Sequence, residues 1–105
     1  MNAIVNPDWK ATVVFSSNGP QPQILLENAA AKIILIGLEA GQRIPAHPEA
    51  LAVYHFLEGS GWMNVDDERI PVTAGTTLIT PAGAKRGVEA ETRLAFLATR
   101  IAGSP

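Results

Sequence analysis

Glycine and proline interrupt this sequence so often that no segment keeps an apolar stripe of helical period. What remains between the breaks is strand-sized. Thr12 to Phe15 is β-branched and aromatic and stops at the turn cluster SSNGPQP. Gln23 to Glu27 follows, then Ala31 to Leu38, a nearly continuous apolar run suited to a strand covered on both faces. Leu51 to Leu57 comes after the loop AGQRIPAHPE, whose IPAHPE stretch around His47 reads as loop or strand start. A turn centred on Gly59 and Ser60 predicts a tight hairpin leading into Gly61 to Val65. Asp66 and Asp67 make the next turn, since Asp tolerates left-handed backbone. Glu68 to Val72, Thr76 to Thr80, Arg86 to Glu89 and Arg93 to Ile101 complete the series. The only helix candidate, ENAAAK, is too short to matter. Short strands at roughly ten-residue spacing predict an all-β antiparallel sandwich or barrel.

A chain of 105 residues fits one domain, so 1–105 is read as a unit, with 1–10 and 102–105 peripheral and the Gly103-Ser104-Pro105 tail loose. With 47% hydrophobic and 17% charged residues it has the composition of a packed protein and not of a disordered one. A net charge of −2 and the lack of any basic run argue against nucleic acid as a partner. Cysteine is absent, which removes disulfides, thiolate metal sites and cysteine nucleophiles together. The opening MNAIVNPDWK lacks a basic stretch followed by an apolar one, so no signal peptide is expected. The longest apolar run, around Ile33 to Leu38, is far short of the ~20 residues that cross a bilayer. The expectation is a soluble cytoplasmic protein with no membrane partner.

Two spaced motifs then stand out. Gly41-QRIPA-His47-Pro48-Glu49 is followed by LAVYHFLEGSG, and further on comes Gly75-TTLIT-Pro81-Ala82-Gly83-Ala84-Lys85-Arg86. In this order, with strand-like segments between, they resemble the two motifs of the cupin superfamily, and the resemblance covers about residues 31–101. It implies a single-domain jelly-roll β-barrel. It also implies where a metal would sit in the metal-binding members: two histidines and a carboxylate from the first motif, one histidine from the second. Of these only the first histidine is kept, as His47. Glu49 replaces the second and Arg86 the last, and counting back seven residues from Gly59 puts Ala52 at the carboxylate position. A guanidinium is always cationic and cannot ligate. A stable transition-metal site wants about three or four protein ligands, and two histidines in the whole chain fall short of the usual set. No cofactor is therefore expected, a divalent metal held through His47 and His55 being the alternative.

By the same resemblance His47 lines the mouth of the barrel, where it could bind or serve as a general base. Arg86, pointing into an apolar barrel, must pair, with the Glu49 carboxylate as the internal partner or an anionic ligand as the external one. Alternation along Leu51 to Leu57 puts Ala52, Tyr54 and Phe56 inward and His55 outward, in a surface or dimer interface; a bulge would turn His55 inward beside His47. Either Trp62 or Met63 faces the core. Candidate ligand-binding residues are thus His47, Glu49, Tyr54, Phe56 and Arg86. The expected function is binding of a small molecule, with anions among the candidates, without the usual metal. Alternatives are a cupin enzyme, either metal-dependent (oxygenase or isomerase) or metal-free with His47 as base, and a sensor or interaction module. A homodimer is expected, because the N-terminal strands are edges that need cover.

Overall fold

The computed structural model describes residues 2–102. The Gly103–Pro105 tail lies outside them. One turn of helix, α1 (Trp9–Thr12), precedes nine strands: β1 (Gln21–Glu27), β2 (Ala31–Leu38), β3 (Arg43–Pro48), β4 (Leu51–Glu58), β5 (Ser60–Val65), β6 (Glu68–Thr73), β7 (Thr77–Thr80), β8 (Lys85–Ala90) and β9 (Leu94–Ile101). They form two antiparallel sheets, β1-β2-β9-β4-β7 and β3-β8-β5-β6. The fold is the expected all-β jelly roll, but as two facing sheets in a flattened sandwich and not a closed barrel.

Three local expectations are corrected. Thr12 to Phe15 is not a strand. Asp8 caps α1 by accepting from the Lys10 N–H, and Val13 to Phe15 then cross the outer side of the larger sheet as irregular chain. They lie so close over Gly37 of β2 that a Cβ there would run into the Val14 carbonyl and press on Phe15. Leu35, 1% exposed, is therefore covered on the outer face as Ile34 and Ile36 are on the inner one. Secondly, most of the segment before Leu51 is strand and not loop: Arg43–Pro48 forms β3, an edge strand where Pro45 and Pro48 cost little pairing. Thirdly, Gly59 does not close a hairpin. β4 and β5 belong to different sheets, so the glycine, at φ +84°, turns the chain from one sheet to the other. The Asp66-Asp67 turn holds as read, with Asp66 at φ 51°.

Between the sheets lies the core. Ala52, Tyr54 and Phe56 of β4 meet Leu94, Phe96 and Ala98 of β9 on one side, and Met63, Val72 and Val88 on the other. The rings of Phe56 and Tyr54 lie 5.3 and 5.8 Å from that of Phe96. Met63 supplies the inward side chain of β5, while Trp62 lies outside beneath the Arg69 guanidinium, 3.9 Å from its ring.

Candidate functional site

Strand pairing brings the two motifs together at one end of the sandwich. β3 runs against β8, with His47 opposite Arg86. Between Ile44 and His47 the register slips, so Pro45 and Ala46 form a bulge. That bulge presses on Gly87, where a Cβ would meet the Ile44 carbonyl at 2.6 Å and the Ala46 nitrogen at 2.9 Å. Gly87 is thus needed to let β3 approach and to seat His47 at the mouth, a role with no signal in either motif.

Arg86 is 2% exposed, yet it does not pair with the Glu49 carboxylate as expected. It spends its fork on backbone carbonyls instead. Nη1 donates to Ala50 at 2.6 Å, Nη2 to Glu49 and Pro81 at 2.9 Å each, and Nε and Nη2 to Ala84 at 3.2 Å. This buried cation ties the β3–β4 corner to the β7–β8 turn, and a single N–H of Nη1 stays uncommitted among these bonds.

The Glu49 carboxylate turns to His47 and Arg100. Its Oε2 lies 3.1 Å from His47 Nε2 and 3.7 Å from Arg100 Nη1. His47 Nδ1 is 3.0 Å from the Pro45 carbonyl. Both ring nitrogens thus face acceptors; a neutral ring can donate to one of them, an imidazolium to both. Arg100, at the end of the inward series Leu94, Phe96, Ala98 along β9, was missed by the sequence reading. Its Nε is shut away from solvent with no hydrogen-bond partner among the described residues, and its contact with Glu49 is longer than a hydrogen bond.

Tyr54 stands beside this cluster. Burial pushes its phenol up from the usual value, while the neighbouring Arg86 and Arg100 cations pull it back. Tyr54, and not Ala52, is the β4 residue that faces His47 and Arg86: both are buried, but Ala52 is opposite Thr80 and away from the cavity. Phe56 is packed in the core and does not line it. His55 points outward and is exposed, 3.3 Å from the Thr77 hydroxyl, so it does not join His47.

Two spaces open here. The inner cavity, bordered by His47, Tyr54, Arg86 and Arg100, measures about 30 Å³, room for about one water molecule. Ile36, Ile44 and Arg100 also border a groove of about 440 Å³ that opens outward between β1, β2 and β3. Its walls are mostly proline and isoleucine, and its charged residues are Lys32, Arg43 and Arg100.

The donor set does not fit a transition metal. His47 and Glu49 offer ligand atoms, but Tyr54 and the fixed Arg86 cation occupy the remaining positions. Among the described residues no three His, Asp or Glu side chains come together, and no helix is long and apolar enough to cross a membrane.

Comparison with known proteins agrees with this architecture. The sequence profile of the cupin domain family matches residues 34–99. A conserved protein of unknown function from Streptococcus pyogenes superposes with a TM-score of 0.88 at 21% identity, covering 100% of this chain and 93% of the other. An RmlC-like cupin protein from Desulfovibrio desulfuricans gives a TM-score of 0.78 at 29% identity, over 85% and 88% of the two chains. A predicted oxalate decarboxylase from Thermotoga maritima gives 0.73 at 25% identity, over 78% and 79%. No curated protein matches the sequence.

Proposed function

The chain belongs to the cupin superfamily, and from that premise we propose that it binds a small molecule at the open end of its sandwich without a metal. One observation carries this reading. Where metal-binding relatives place their last histidine, Arg86 stands buried and locked onto the carbonyls of Glu49, Ala50, Pro81 and Ala84. A fixed cation at that position repels a metal ion and organises the mouth in its stead.

The inner cavity is too small for an organic molecule, so the ligand sits in the outer groove and reaches inward past Ile36 and Ile44 toward Arg100, His47 and Tyr54. Glu49 orients His47 and Arg100 and need not touch the ligand. Arg86 and Phe56 support the site from behind. Binding is favoured over catalysis by His47 as a general base, because both of its nitrogens already face internal acceptors.

The test is a panel of neutral, cationic and anionic small molecules, screened by NMR against chelator-treated protein. Binding of any of them that shifts Tyr54 and His47 resonances is expected. If none perturbs the mouth, the reading fails.

The chain is also proposed to form a homodimer. β1 is a sheet edge, and Ile79 and Ile101 leave 65% and 40% of their surface exposed on the larger sheet. Light scattering should give twice the chain mass; a monomer at micromolar concentration contradicts it.

A further inference from the structure

The outer groove joins an apolar wall to a guanidinium whose Nε has no hydrogen-bond partner among the described residues. Ile24, Ile34, Ile36, Ile44 and the neighbouring prolines supply the wall. Ile24, on the edge strand β1, keeps 55% of its surface exposed. The charged residues of the lining are all cations, Lys32, Arg43 and Arg100, with no carboxylate among them.

Lys32 and Arg43 have partners away from the groove, Glu27 at 3.5 Å and Glu89 at 2.9 Å. Arg100 differs. Its Nε is buried and unpartnered, and Glu49, its nearest carboxylate at 3.7 Å, is also 3.1 Å from His47. At the inner end of the groove Arg100 therefore has only a carboxylate that His47 shares, so its charge is incompletely met. The Arg100 side chain as a whole keeps 27% of its surface exposed and lines the groove, and with its carboxylate contact longer than a hydrogen bond it is open to a ligand oxygen.

We infer that the groove takes an amphipathic monocarboxylate, its carboxylate on the Arg100 guanidinium and its apolar body along Ile24, Ile34 and Ile44. A carboxylate matches the guanidinium fork in geometry as well as in sign. The aliphatic wall then takes up the part of the ligand that water rejects. The inference rests on the reading that the mouth binds a small molecule, and gives that ligand its chemical class.

Titration calorimetry of the full chain with octanoate, octanol and octylammonium tests it. Octanoate should bind tightest, and its affinity should fall as salt is raised. Arg100→Gln should weaken octanoate about tenfold or more while leaving octanol nearly unchanged. Ile24→Glu, on an exposed edge position that folding tolerates, puts a competing carboxylate into the groove and should abolish octanoate binding. It carries the test should Arg100→Gln fail to fold. Octanol or octylammonium binding as tightly as octanoate overturns the carboxylate inference and leaves small-molecule binding standing, as does octanoate binding that neither variant changes. If none of the three binds, the inference is overturned; if the wider panel also leaves the mouth unperturbed, the underlying reading falls with it.

Discussion

Arg86 Nη1 donates to the carbonyl of Ala50 at 2.6 Å, joining β8 to the corner where β3 passes into β4. The contact belongs to a cage of carbonyls around one buried guanidinium, and it decides what the mouth of this protein can be. A charge so enclosed is stable only because each carbonyl dipole points its negative end at it.

Removing that cation should be severe. Arg86→Ala leaves the Glu49, Ala50, Pro81 and Ala84 carbonyls without their donor, and a loss of about 3 kcal/mol in unfolding free energy is expected. Arg86→Lys should recover part of it, because an ammonium keeps the charge but cannot span the cage as a planar fork does. Denaturant midpoints of the three proteins measure the effect, and equal midpoints for wild type and Arg86→Ala would remove the structural role.

Tyr54 is the chain's single tyrosine, so phenolate absorbance reports on it alone. Burial raises its pKa above the usual 10.0. In that window the unfolded chain has lost the phenolic proton that the folded chain retains. Stability from Tyr54 is therefore complete below pH 10 and is lost as pH rises through the folded value. Tyr54→Phe should flatten this alkaline loss. A phenol that titrates at or below its usual value would contradict the burial described.

Acid should loosen the N-terminal arm first. Arg93 grips Glu39 through Nε at 2.7 Å and Nη2 at 3.1 Å while its guanidinium lies 4.3 Å from the Phe15 ring. That hydrogen bonding holds the Glu39 carboxyl below its usual 4.5. Below 4.5 the unfolded carboxylate takes up its proton before the folded one does, so this contribution is present above that pH and fades as pH falls through the folded value. Glu39→Gln should remove the pH dependence, and limited proteolysis near Phe15 should then be as fast at neutral pH as wild type becomes once the pH has fallen below the folded value. Unchanged resistance of Glu39→Gln would show that the pair does not hold the arm.

Much of this was legible in the residues. The punctuation by glycine and proline gave the all-β class, and the two motifs placed His47 against Arg86 correctly. Alternation in β4 put Tyr54 and Phe56 inward and His55 outward. Four things were hidden. β3 looked like a loop because Pro45 and Pro48 are strand-breakers in the interior of a sheet but tolerated on an edge, and sequence does not show which strand is the edge. A sequence offers the Glu49 carboxylate as the partner of Arg86, since side-chain charge is visible there and converging backbone carbonyls are not. Arg100 went unnoticed, although an inward series Leu94, Phe96, Ala98 ending on a cation is a readable sign of a charge placed at a cavity rim. Gly87 carried no sign, because its need comes from the Ile44 carbonyl across the sheet.

The central claim, that the mouth works with a fixed arginine in place of a metal, is tested most directly by one titration done twice. Octanoate, or whichever compound the panel selects, is titrated into chelator-treated protein and again after adding zinc, manganese or iron(II). The account predicts the same affinity in both, with His47 and Tyr54 resonances moving in the metal-free sample. Binding that occurs only once the metal is added would contradict it.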